Sequence, residues 1–298
     1  MSIANPRASR LRELLAEDRI HVMPGCHDAM SARLIEATGF EVGFMSGFAV
    51  SAARIGEPDT GLISYGEMLD QGRNVCAATS LPIIGDGDTG YGNTLNVRRT
   101  VQGYAQAGFA GIMIEDQVAP KRCGHTKGKQ VVERDVAIER WQAAVDARDE
   151  GTDICIMART DAIHTHGIEE AIARAQAASA VGVDILFVEA PEDINEMRRV
   201  CQEAPGIHMA NMIEGGRTPI LPPDELYDMG FKISVFPLTL VNASIKAMME
   251  TLTLMKSGED HTNKVLDFEP LKEVVGFHRY YEEEARYAST ARKDQRWK

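Results

Sequence analysis

Short, almost continuously apolar runs alternate with longer amphipathic ones along most of this chain, and that alternation restricts its fold more than any other feature. The apolar runs are "HVMPGC" (21–26), "VGFMSG" (42–47), "PIIGDGD" (82–88), "GIMIEDQ" (111–117), "ICIMARTD" (154–161), "DILFVEA" (184–190), "HMANMI" (208–213) and "ISVFP" (233–237). Strands buried on both faces need this continuous apolar character, whereas a half-exposed strand alternates. Helical patterns lie between them, as in residues 28–39, 93–108 and 167–182, each ending in a glycine that can take the left-handed stop. Eight strand–helix units within about 250 residues is the count of a (β/α)8 TIM barrel, an α/β fold. A doubly wound open sheet is the alternative. No GxGxxG follows the first strand, and the spacing is too even for two halves, so the barrel is expected. No linker rich in Pro, Gly or Ser splits the chain. Residues 1–255 are therefore expected to form the barrel. Residues 256–298 read as a helical extension, suited to packing or an oligomer contact.

Charge and cysteine usage narrow the function. A net charge of −12 opposes binding to nucleic acid or an anionic membrane surface, yet leaves room for a small anionic substrate in a locally cationic cleft. No apolar run approaches the ~20 residues of a membrane helix. "MSIANPRASRLRELLAEDRI" turns amphipathic without the apolar core of a signal peptide. The five cysteines, at 26, 76, 123, 155 and 201, are odd in number and scattered, which suits free thiols in a reducing cytoplasm.

In a barrel, polar residues at the C-terminal ends of strands face the active site. Here those ends carry Ser46-Gly47, Asp86 and Asp88, Glu115-Asp116, Arg159 and Asp161, Glu189, and Asn211 followed by Glu214. One carboxylate after a strand is commonly a helix cap or turn former. Six strand ends with acids, an Arg and an Asn go beyond capping. Asp86 and Asp88 are two apart, so on a strand both would point to one side and reach one cation. Oxygen ligands without His or Cys nearby suit Mg²⁺ or Mn²⁺. Asp59 in "GEPDTG" and Glu115 are candidate outer partners, and the glycines of "GDGDTGYGN" would let substrate or water approach the backbone. A glycine-rich turn with capping aspartates remains the alternative.

The segment "APKRCGHTKGKQVV" (119–132) follows the acidic end of the fourth strand. A zinc site on Cys123 and His125 lacks a second Cys/His pair at the usual spacing. A solvated basic turn is the plain alternative. The loop's position and length favour a catalytic lid, with Lys121, Arg122 and His125 lowering the thiol pKa of Cys123.

"SG" after strand two, "DGDTGYGN", "EDQ" and "PKRCGH", in this order, resemble the isocitrate lyase/phosphoenolpyruvate mutase superfamily over about residues 10–255. "PKRCGH" resembles its carbon–carbon lyase branch, and "GHTKGK" with "MANMIEGGRTPIL" resembles the 2,3-dimethylmalate lyase and petal death protein group. Thr126 and Lys127 stand where methylisocitrate lyases typically read Arg-Pro, and Pro237 stands where oxaloacetate acetylhydrolases carry Ser. The resemblance implies a Mg²⁺- or Mn²⁺-dependent lyase cleaving a 2-alkylmalate to an α-keto acid and a monocarboxylate. Methylisocitrate, oxaloacetate and phosphonopyruvate chemistry are the alternatives. It implies that Ser46 and Gly47 hold the keto-acid carboxylate and that Asp86 and Asp88 anchor the metal with Asp59 and Glu115 assisting. Arg159 would contact the hydroxyl and developing carbonyl oxygen. Gly124, His125, Glu189, Asn211 and Pro237 would line the second carboxylate's site, and Cys123 would be the acid, with Lys121 and His125 beside it. Tyr91 is a candidate base. A homotetramer with exchanged C-terminal helices is also implied.

Overall fold

The computed structural model describes residues 4–122 and 128–287. Helix α1 (Pro6–Ala16) comes first, then β1 (His21–Cys26), α2 (Ala29–Ala37), β2 (Gly43–Met45), α3 (Gly47–Ile55) and α4 (Tyr65–Ala78). Next are β3 (Ile83–Asp86), α5 (Thr94–Ala107), β4 (Gly111–Glu115), α6 (Arg134–Asp149), β5 (Cys155–Thr160), α7 (Ala162–His166) and α8 (Ile168–Ala180). The order continues with β6 (Ile185–Val188), α9 (Ile194–Glu203), β7 (His208–Asn211), α10 (Pro223–Met229), β8 (Phe231–Phe236) and α11 (Thr239–Ser257), and ends with α12 (Phe268–Val275) and α13 (Phe277–Tyr287). The strands pair in chain order, all parallel, and β8 closes on β1 through His21↔Ile233 and its neighbours. This is the TIM barrel expected from the apolar runs.

The barrel has two main apolar layers. Met23, Ile84, Met113, Met157, Ile185, Met209 and Ile233 fill its inside, and Leu11, Leu14 and Leu15 of α1 pack with them. Outside, Val75, Val97, Val101, Trp141, Ala144 and Ala175 of the helices cover the strands' other faces. Strands sandwiched between these layers have no wet face, which is why their sequences do not alternate. Helix α1 closes the N-terminal end. Asn5 caps it and also donates to Phe109 O at 2.7 Å, while Arg7 donates to Gly108 O and Cys76 O. With that end closed, the polar strand ends at the other rim have the pocket to themselves.

The chain divides into two compact units, residues 1–242 and 243–298. The second holds most of α11 with α12 and α13, and it exposes Met248, Met249, Leu252, Phe268 and Tyr280. The boundary expected from the sequence, 255/256, falls at the C-terminal end of α11. Among the described residues, no helix is long and apolar enough to cross a membrane.

Candidate active site

The strand ends converge on a pocket lined on one side by Ser46, Asp59, Asp86, Lys121, Arg159, Glu189 and Asn211. Phe48, Ile213, Pro237 and Leu238 form part of its apolar lining. Cys123, Gly124, His125 and the neighbouring Thr126 and Lys127 lie outside the described residues.

On the metal side, Ser46 caps α3, and Gly47 N–H donates to Asp86 Oδ2 at 3.2 Å. A side chain at Gly47 would bring its Cβ to 2.5 Å from that oxygen, so only glycine lets the helix terminus and the carboxylate meet. Asp86 Oδ1 accepts from Asp88 N–H at 3.0 Å. The expectation that Asp86 and Asp88 share a strand face does not hold. β3 ends at Asp86, and Asp88 lies in the turn at φ +47°. The turn, not the pleat, brings the two acids together. Gly85 and Gly87 also serve packing rather than ligand approach: a Cβ at Gly85 would strike the Phe109 and Tyr104 rings, and one at Gly87 the Met113 carbonyl.

Lys121 was expected on a lid, lowering the thiol pKa of Cys123. Instead its ammonium is buried, 2.7 Å from Asp59 Oδ2, 2.8 Å from Asp88 Oδ1 and 3.8 Å from Asp86 Oδ2. Burial would weaken its charge, but Asp88, Asp86, Asp59 and Glu115 more than offset this and push its pKa well up. Burial, with Asp86 and Asp59 alongside, pushes Asp88 upward against the pull of Lys121. The Lys121 charge is shared among these acids, while Cys123, the thiol it was expected to tune, lies outside the described residues.

On the donor side, Arg159 ends β5 with its Nε 2.8 Å from Asp161 Oδ2 and its Nη2 3.1 Å from Asp161 Oδ1 and from Glu189 Oε2. Glu115 Oε2 is 3.3 Å from Arg159 Nε, and the guanidinium lies over the Phe187 ring. Burial drives Glu115 well above the usual carboxylate range, outweighing Arg159 and Lys121. Asn211 donates to both oxygens of Glu189 at 3.2 and 3.3 Å. Glu214 does not join the pocket; it is exposed and accepts from Thr239 Oγ1.

Tyr91 does not suit the role of base. Burial, then Asp88, pushes its phenol well above its ordinary value, and its ring packs edge-on against Tyr65. Lys129, Thr160 and Arg174, which sequence reasoning missed, join Asp116 and Asp161, which it named, in a network behind Arg159. Asp116 accepts from Thr160 Oγ1, Asp161 N–H and Arg174, and Lys129 lies 3.0 Å from Asp161 Oδ1. Arg159-Thr-Asp161 at i, i+2 was the available signal for part of it.

The donor set fits a hard cation. Three aspartates and Glu115 gather with spare buried oxygens: Asp59 Oδ1 and Glu115 Oε1 lack a hydrogen-bond partner among the described residues. Those residues hold no closed group of three His, Cys, Asp or Glu donors, because Lys121 stands between Asp59 and Asp88. A Mg²⁺-type ion, which keeps several waters and takes one or two carboxylates, needs no such cage.

Residues 11–256 match the family model described as phosphoenolpyruvate phosphomutase. The chain is 42% identical to 2,3-dimethylmalate lyase of Eubacterium barkeri, over 95% of this chain and 98% of that protein. It is 43% identical to the chloroplastic carboxyvinyl-carboxyphosphonate phosphorylmutase of Arabidopsis thaliana (96% and 89%) and 38% identical to the petal death protein of Dianthus caryophyllus (96% and 91%). Among solved structures, a 2,3-dimethylmalate lyase superposes with a TM-score of 0.91 at 35% identity, covering 97% of this chain and 98% of that one. An oxaloacetate acetylhydrolase bound to 3,3-difluorooxalacetate superposes with a TM-score of 0.90 at 34% identity, covering 95% and 98%. A phosphonopyruvate hydrolase solved with oxalate and Mg²⁺ gives 0.84 at 26%, covering 94% and 99%. The barrel, its acid-rich rim and these likenesses agree, and the chain belongs to the PEP mutase/isocitrate lyase superfamily.

Proposed function

We propose that the chain is a divalent-metal-dependent carbon–carbon lyase that cleaves a 2-alkylmalate, such as 2,3-dimethylmalate, to an α-keto acid and a monocarboxylate. The observation that carries this is the pocket's division into an acid-rich cluster with unpartnered oxygens, a fixed guanidinium, and an apolar stretch of Phe48, Ile213, Pro237 and Leu238. The first two suit a dicarboxylate and the third suits its alkyl groups. The likeness to 2,3-dimethylmalate lyase supports the same substrate class.

Asp86 and Asp88 would hold Mg²⁺ or Mn²⁺, with Asp59 and Glu115 assisting directly or through water. The ion would supply charge stabilisation at the substrate's carboxylate and 2-hydroxyl oxygens. Ser46 and the Gly47 N–H, at the N-terminal end of α3, would receive the keto-acid carboxylate, where the helix dipole favours an anion. Arg159 would donate to the hydroxyl oxygen as it becomes a carbonyl oxygen. A base takes the hydroxyl proton, the C2–C3 bond breaks, and its electron pair passes to the carbon beside the second carboxylate. Cys123 would protonate that carbon, with His125 and Gly124 beside it and Glu189, Asn211 and Pro237 around the departing acid.

Release of keto acid from 2- and 3-alkylmalates, citramalate, oxaloacetate, methylisocitrate and phosphonopyruvate tests this. The alkylmalates are expected to lead, with activity lost in EDTA and restored by Mg²⁺ or Mn²⁺. Full turnover after exhaustive chelation refutes the metal role. The likeness to the Arabidopsis phosphorylmutase favours phosphorus–carbon chemistry as a second reading, and preferential turnover of phosphonopyruvate would establish it. The C-terminal helices, with Val265, Leu266, Phe268 and Tyr280 exposed, support a homotetramer built through residues 256–298. Light scattering at micromolar concentration is expected to give four subunits, and a monomer would end that proposal.

A further inference from the structure

Lys129 has no part in the reaction as proposed above, yet it is as buried as Asp86, each 4% exposed. Its ammonium lies 3.0 Å from Asp161 Oδ1. The same carboxylate takes Arg159 Nε on Oδ2 at 2.8 Å and Arg159 Nη2 on Oδ1 at 3.1 Å. Its backbone is pinned separately, because Asp161 N–H donates to Asp116 Oδ1 at 2.9 Å and Asp116 also takes Arg174 at 3.0 Å. Asp161 is thus a fixed hinge-point with two cations on its oxygens. One of them, Arg159, also faces Glu189 and Glu115 and reaches the pocket.

We propose that Lys129 is a positioning residue: by holding Asp161 Oδ1 it sets the aim of the Arg159 guanidinium into the pocket. Three carboxylates converge on Arg159, and all of them are buried. With Lys129 in place, Asp161 has a second positive partner and the guanidinium can share its donors with Glu189 and the pocket. With its charge removed, Asp161 draws harder on Arg159, and the guanidinium turns toward it. A lysine suits this task, since its compact ammonium takes one oxygen without competing for the planar fork that guanidinium and carboxylate share. The plain alternative is that Lys129 merely ties its own stretch of chain to the end of β5.

The inference rests on the role proposed for Arg159, so the test separates the two. Lys129→Met is expected to lower kcat on the best malate by about 10²-fold, the cost of a misplacement of about 1 Å at a reacting centre. KM should change little, because Arg159 acts on charge that develops in the transition state. Lys129→Arg, which keeps the charge but competes for the planar fork, should recover only part of the loss. In an Arg159→Lys background, Lys129→Met should cost less than about threefold, since the group it aims is already gone. A tether without an aiming role gives full additivity in that background, and this result overturns the proposal. Calorimetry with oxalate and Mg²⁺ reads the same coupling without turnover, and Lys129→Met should weaken oxalate by about tenfold. If the wild type turns over no malate while oxalate binding still depends on Lys129 through Arg159, the lyase reading fails and the positioning role stands. If turnover is present and neither kcat nor oxalate binding responds, the positioning role fails. Lys129→Gln, which keeps a donor on the carboxylate, takes the place of the Met variant in both assays if that variant does not fold.

Discussion

Two clusters at the mouth of one barrel use the same ingredients to opposite effect. Around Lys121, three aspartates surround one ammonium, burial pushes Asp88 toward protonation, and Asp59 keeps an oxygen without a hydrogen-bond partner among the described residues. Around Arg159, three carboxylates also surround one cation, but Lys129 joins them. Burial pushes Asp161 up, yet Arg159 and Lys129 outweigh it and hold its pKa well below the ordinary carboxylate range. The first cluster is short of positive charge and would accept more. The second has largely balanced Asp161 and holds its guanidinium still. Counting acids does not separate a cation site from a fixed donor. The number of cations sharing those acids does.

The most damaging way to break this contrast is to remove an acid from the cation side. Asp88→Asn should lower lyase turnover by about 10³-fold or more, because a bound ion contributes several kcal/mol to the transition state. It should also abolish the rise in Tm expected when Mg²⁺ is added to the wild type, a linkage effect that needs no substrate. A normal Mg²⁺-induced shift in the variant would mean that the ion sits elsewhere.

Cys123→Ser asks what neither cluster supplies, a proton donor. The thiol's replacement by a hydroxyl that scarcely ionises should cost about 10²–10⁴-fold in turnover with little change in substrate affinity. Near-normal turnover would remove Cys123 from the reaction. The four other cysteines offer no substitute. Burial raises the thiols of Cys76, Cys155 and Cys201 to about 12 and raises Cys26 as well, so iodoacetamide should modify Cys123 alone.

The smallest effect is on stability, and it has opposite signs at the two clusters. Asp161 has a folded pKa below its unfolded one. Its contribution is therefore complete above about pH 4 and disappears as pH falls toward the folded value. Asp161→Asn should then cost about 3–5 kcal/mol at neutral pH, on the order of 10 °C in Tm. Asp88 has a folded pKa, about 7, above its unfolded one, so its ionisation costs stability progressively as pH rises from about 4 and in full above the folded value. In EDTA at pH 8, Asp88→Asn should leave Tm unchanged or raise it. A drop in Tm as large as that of Asp161→Asn would erase the distinction.

Much of this was legible before any coordinate. The eight apolar runs located every barrel strand to within a few residues, because burial on both faces leaves a continuous signature. Ser46, Asp86, Arg159, Glu189 and Asn211 were found as pocket residues because each lies at or next to the end of a parallel strand, and the ends of parallel strands in a barrel share one rim. The turn that carries Asp88 was misread as strand, since Gly87 and the residue's own left-handed φ leave no mark that distinguishes them from pleat.

The lysines were the larger gap. Lys121 and Lys129 sit in a basic, glycine-containing stretch that reads as a lid tuning a thiol, yet both are buried against acids 62 and 32 residues away in the chain. Arg174 and Asp116, 58 residues apart, pair in the same way. Periodicity and strand-end position are local properties, so the sequence by itself determined the barrel and which strand-end residues face the rim. Which acid meets which cation depends on distances between chain segments that only the closed barrel creates. Burial then multiplies the energy of each such meeting, so the tertiary structure alone decided which cluster could receive an ion and which would hold its guanidinium fixed.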